Sequence, residues 1–198
     1  MRNRSEVSEE DNSPPHFVAF EGVARIASGG LAQVALAAKQ AQLRNPAASV
    51  IVFDLEIGKV ADLDLRGTEQ EIVTRYTPQV PSTLGRGRPK LGVVAREVTL
   101  LPRHWDWLAR QPGGASITLR KLVEAARKAD GGATKSRERV EAAYRFMSVM
   151  AGDLPAFEDG ARALFAGDRN RLATVMSQWP SDICNEVLRF FDGAAWKG

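Results

Sequence analysis

The sequence predicts an α+β protein: a small N-terminal antiparallel sheet with helices, a basic linker, a strand-helix-helix segment and an all-helical C-terminal part. Three observations carry this. Short β-branched and aromatic runs occur before residue 66 and once more at 96–101. Apolar residues recur at helical spacing after residue 102. Between them, prolines 78, 81 and 89 and glycines 85, 87 and 92 mark a linker. A period of two reads as strand and one near 3.6 as helix. The expected segments are a disordered polar tail at 1–15, a small α+β domain at 16–76, a basic Pro/Gly linker at 77–95, a strand-helix-helix segment at 96–129 and a helical region at 130–198.

The elements follow in order. Phe17–Phe20 and Ala24–Ala27 flank Glu21-Gly22 and read as a hairpin. Ala-rich residues 31–43 form a helix with Leu31, Val34, Ala35 and Ala38 on one stripe, stopped by Asn45-Pro46. Ser49–Phe53 is a β-branched run that can pair across Ile57-Gly58 with Val60–Leu65, whose alternation turns Asp62 and Asp64 outward. Thr68 and Glu71 have capping-box spacing and start a short helix reaching Tyr76. The order β-β-α-β-β-α predicts a four-stranded, mostly antiparallel sheet with helices on one face. Further on, helices are expected at about 103–110, 116–129 and 135–150. Asp153, Asp168 and Ser181 are expected to cap three more, two of which end before Gly167 and Pro180.

Several chemistries find no footing. His16 and His104 lie far apart, and a single cysteine permits neither a zinc pattern nor an intrachain disulfide. Cys184 reads as a buried small hydrophobe, and its solitude fits a reducing, cytoplasmic setting. No phosphate-cradling glycine loop or nucleophile elbow is present. Asp54, Glu56, Asp62 and Asp64 gather around one hairpin. A metal or acid–base site uses such a set, but so does a solvated strand face. No signal peptide and no membrane-spanning run are expected. The chain therefore reads as non-enzymatic and without a cofactor.

Charge is uneven. The whole chain carries +3, yet residues 82–129 hold ten Lys/Arg against three Asp/Glu, an excess of seven, leaving −4 elsewhere. Such asymmetry marks a surface that meets a polyanion. At its start, Arg86-Gly87-Arg88-Pro89-Lys90 resembles the core of an AT-hook. Glycine and proline keep the backbone narrow and extended, so the arginines can lie in an A·T-rich minor groove of enhanced negative potential. The same peptide also reads as a solvated basic linker that touches phosphates without base preference.

Downstream, Arg96–Leu101 reads as a strand ending at Pro102. Arg103–Arg110 follows as a helix, Pro112-Gly113-Gly114-Ala115 breaks it, and Ser116 begins a second helix with Leu119, Leu122, Val123 and Ala126 apolar. This order resembles a ribbon-helix-helix DNA-binding domain, in which the strands of two chains pair into a ribbon that enters the major groove. The resemblance implies a homodimer, with Leu101 and Thr99 buried and Arg96, Val98 and Leu100 toward DNA. A register rotated by one residue makes Val98 and Leu100 core instead. Trp105 and Trp107, two apart, cannot share a helix face, so one is expected in the core and the other at an interface. The Gly87–Gly92 and Leu101–Ser116 runs also resemble a bacterial family known only as a domain of unknown function.

The expectation is a DNA-binding protein, with transcriptional regulation as its role. Arg86, Arg88 and Lys90 would make groove or phosphate contacts. Arg96 and Arg103 would contact DNA at or beside the strand, and Ser116 would present a helix N-terminus to phosphate. The competing expectation is a non-enzymatic protein-interaction or scaffold protein whose strand-helix-helix segment is structural.

Overall fold

The computed structural model describes residues 16–78, 94 and 96–193. The tail at 1–15 and the Arg86, Arg88 and Lys90 arm lie outside the described residues. The chain divides into two compact units, Met1–Thr77 together with Lys135–Gly198, and Pro78–Thr134. The fold is α+β, with a small antiparallel sheet and a helical C-terminal part.

In the first unit, β1 (Phe17–Glu21), β2 (Ala24–Gly29), β3 (Val50–Asp54) and β4 (Lys59–Val60) form one sheet in the order β2-β1-β3-β4. Every neighbouring pair is antiparallel. Alternation along β1 and β3 sorts their side chains to two faces. Ala19 and Val52 point to one, where they meet Val34 and Ala38 of α1 (Leu31–Arg44). Val18, Phe20 and Phe53 point to the other. There they meet α5 (Ala133–Met150), α6 (Phe157–Ala166), α7 (Arg169–Val175) and α8 (Ser181–Asp192).

Helices therefore cover both faces, not one as expected. The reason lies in the strands, which are apolar at odd and even positions alike and need cover on each side. Segments 16–76 and 130–198, distant in sequence, meet in a single core. Phe146 of α5 is its hub, with ring centroids 4.9 Å from Phe53, 5.6 Å from Phe20 and 5.8 Å from Phe190. The turn at Gly58 brings the β3–β4 connection against the backbone of Ala142 in α5. Its φ of 66° and the absence of a Cβ make that approach possible.

The second strand of the expected 49–65 hairpin is shorter than its pattern suggested. Only Lys59–Val60 pair with β3. Ala61, Leu63 and Leu65 still face the α1 side, and Asp62 and Asp64 stay exposed. The Ala61 N–H still donates to the Val52 carbonyl of β3 at 2.8 Å, but the Asp64 backbone groups go elsewhere. The Asp64 N–H donates to the Tyr76 hydroxyl at 2.7 Å, and Arg75 donates to the Asp64 carbonyl at 2.6 Å. Both residues end α2 (Glu69–Tyr76), which starts on the expected Thr68/Glu71 capping box. Asp168 caps α7 by accepting from the Arg171 N–H at 3.0 Å. Asp153 and Ser181 do not cap. Phe157 begins α6 after Ala156, and Ser181 is already the first residue of α8 because the preceding Pro180 sets the chain's entry.

Candidate nucleic-acid interface

Residues 96–101 form no strand in this single chain, and all but Leu100 are exposed. Pro102 opens α3 (Pro102–Ala109), where its missing N–H has no partner to lose. Only Leu108 of this helix is buried. Trp105 is 41% exposed and Trp107 49%, so neither tryptophan is core within the chain, contrary to expectation.

Gly113 and Gly114 take φ values of 86° and 74° and start α4 (Gly114–Asp130) two residues before the expected cap. Ser116 is therefore not an N-cap. It sits in the first turn, exposed, and its carbonyl accepts from Arg120 Nε at 3.2 Å. The tight glycine turn lets the helix begin where a serine cap would otherwise be needed.

Seventeen residues long, α4 buries only Thr118. Residues 117, 120, 121, 124, 127 and 128 fall on one face at spacings of three and four. That face carries Arg120, Lys121, Arg127 and Lys128, with Glu124 between them. Glu124 pairs with Arg127 at 3.3 Å. Lys121 and Lys128, like Arg96, Arg103 and Arg110, form no ion pair among the described residues. Over nine residues the stripe spans about 12 Å, enough to follow successive phosphates of one strand. Ile117 on that face is exposed, as are Leu122 and Val123 off it, and Leu119 is half-buried.

Of the expected site residues, Arg96, Arg103 and Ser116 all lie in this unit and all are exposed. The four cations of α4 were counted in the local charge but not singled out. Their arrangement as two adjacent pairs seven residues apart was the signal that could have found them.

The acidic hairpin is occupied differently. Asp64 grips Arg66 through two hydrogen bonds of 2.8 and 2.9 Å. Those bonds hold its carboxyl well below the usual carboxylate range. Asp54 accepts from the Glu56 N–H at 2.8 Å. Among the described residues, no group of three or more His, Cys, Asp or Glu is placed to hold a metal ion. Cys184 is half-buried and donates to the Met176 carbonyl at 3.2 Å, and burial pushes its thiol up. No described helix is long and apolar enough to cross a membrane.

Residues 16–190 match the model of a family described as "Uncharacterized protein conserved in bacteria" (DUF2239). No curated protein and no solved structure matches the chain.

Proposed function

The chain belongs to this bacterial family, and from its own residues we propose that it is a non-enzymatic DNA-binding protein acting in transcriptional regulation. The observation that carries this reading is the cationic face of α4, which bears the exposed Ile117 and has no ion pair at Lys121 or Lys128 among the described residues. Cations of this kind neutralise phosphates, and their binding is driven by counterion release. Arg96 and Arg103 add charge at the start of α3, and Arg86, Arg88 and Lys90 supply an arm suited to an A·T-rich groove. Val98, Leu101, Leu122 and Val123 are left open, as expected of a unit completed by a second copy. A paired ribbon through residues 96–101 then forms across a homodimer.

A mobility-shift titration on A·T-rich and G·C-rich duplexes tests this at two salt concentrations. With about four phosphates neutralised per chain, and so about eight per homodimer, affinity should fall roughly ten-thousandfold between 50 and 200 mM salt. The quadruple variant Arg120→Ala/Lys121→Ala/Arg127→Ala/Lys128→Ala should flatten that slope. The pair Arg86→Ala/Arg88→Ala should remove any preference for A·T. Absence of binding at the lower salt overturns the proposal.

The exposed Trp105 and Trp107 favour a second reading, a protein-interaction or scaffold role. Aromatic residues of this kind anchor protein interfaces. Binding to an acidic protein surface with no affinity for duplex DNA would support it.

A further inference from the structure

The first unit holds a cavity of about 340 Å³ that the DNA-binding reading does not use. Leu55 and Glu56, just past β3, form one side, with His16 beside them. Lys135 and Arg139 come from the first turns of α5, and Glu186, Arg189 and Phe190 from α8. Three features single it out.

Arg139 is half-buried, yet neither it nor Lys135 has a carboxylate partner among the described residues. A partly buried guanidinium without a counterion is costly. Arg139 lies directly over Gly193 at the end of α8, where a side chain would collide with its guanidinium. Glu186 is fully buried and stands between Arg189 at 3.3 Å and Arg25 of β2 at 3.6 Å. Its Oε2 nevertheless receives no hydrogen bond. A buried acceptor in that state asks for a donor.

Glu56 and Glu138 also line the cavity but are exposed, free to turn their charge to solvent. Glu186 already faces two arginines. The unmatched charge is thus cationic, and the unmatched acceptor belongs to Glu186.

We propose that this cavity binds a small oxyanion that also carries a hydrogen-bond donor, a phosphate monoester being the simplest example. Arg139 and Arg189 present planar forks suited to two oxyanion oxygens, and Lys135 adds a mobile charge. The ligand's hydroxyl donates to the Glu186 carboxylate, and Phe190 and Leu55 offer an apolar wall for its body. The site belongs wholly to the first unit and does not depend on the DNA-binding reading.

Inorganic phosphate and sulfate are the probes, added to the full chain at pH 8 with sodium chloride at matched ionic strength as the control. They match in shape, but sulfate carries no proton at that pH. Phosphate should raise the melting temperature saturably, and sulfate should bind at least tenfold more weakly. Arg139→Gln should weaken phosphate binding at least tenfold, and so should Lys135→Gln, an exposed position whose change should leave folding intact. Glu186→Gln, which offers an N–H as readily as an acceptor, should erase the preference for phosphate. No shift beyond chloride overturns the site, as do equal shifts in wild type and both cation variants. In that case Arg139 serves only the end of α8. Equal binding of the two anions overturns the role given to Glu186.

Discussion

Single residues show where the first unit accepts an energetic cost. Burial pushes the Glu186 carboxyl up, and Arg189 and Arg25 only partly offset this. A folded-state value above the ordinary one favours the protonated form. Its stabilising contribution is complete below the ordinary value near 4.5 and is lost as pH rises through the folded one. Glu186→Gln should therefore melt higher than wild type at pH 7, and the gap should close toward pH 4. A pH series of thermal melts checks this, and a lower melting temperature for the variant at pH 7 would contradict it. Thr68 works the other way. Its hydroxyl and the Glu71 carboxylate each satisfy a backbone N–H, at 3.3 and 2.6 Å. Thr68→Ala should cost about 1 kcal/mol in chemical denaturation. Gly58→Ala should cost more, because its Cβ would enter the backbone of α5 at a positive φ.

At the scale of elements, α4 stands apart. Its apolar positions Leu122 and Val123 are exposed, so they add little to the stability of a lone chain. Leu122→Glu/Val123→Glu should leave the melting temperature within about 2 °C of wild type, since surface changes stay within about 0.5 kcal/mol. If these residues face a second copy, the same variant should shift the size-exclusion peak from dimer to monomer. The elements also show what was legible in the sequence. The β1–β2 hairpin, α1, the capping box of α2 and the Asp168 cap are local devices, written in adjacent residues. The short β4 was not legible. The alternation of residues 61–65 is real, but Tyr76 and Arg75 take the Asp64 backbone groups that a neighbouring strand would have used. Nor was the start of α4, because Ser116 has the chemistry of a cap while the Gly113-Gly114 geometry decides the entry. For the candidate site, local charge singles out the segment 82–129, which contains α4. The face on which Arg120, Lys121, Arg127 and Lys128 gather emerges only once the helix is laid out in register.

On the scale of the whole molecule, the first unit is discontinuous. Val18, Phe20 and Phe53 are buried by α5–α8, which follow them by eighty residues or more. A fragment of residues 16–77 should consequently fail to fold alone, giving a poorly dispersed NMR spectrum. Phe146→Ala in the full chain should cost about 3–5 kcal/mol. A cooperative transition for the isolated fragment would show that α1 and α2 suffice. Every cover for the second sheet face was visible as helical periodicity beyond residue 133, but its destination was not, since a periodic stripe says that something is buried and not against what.

The discontinuity also orders events in time. A ribosome adding about 5–20 residues per second needs several seconds to pass from Phe53 to Phe146. Throughout that interval Phe20 and Phe53 have no cover, and by its end the cationic hairpin of α3 and α4 has been made. A newly made chain therefore meets the cell with its charged unit ready and its core open, and it is during synthesis that a chaperone would matter most.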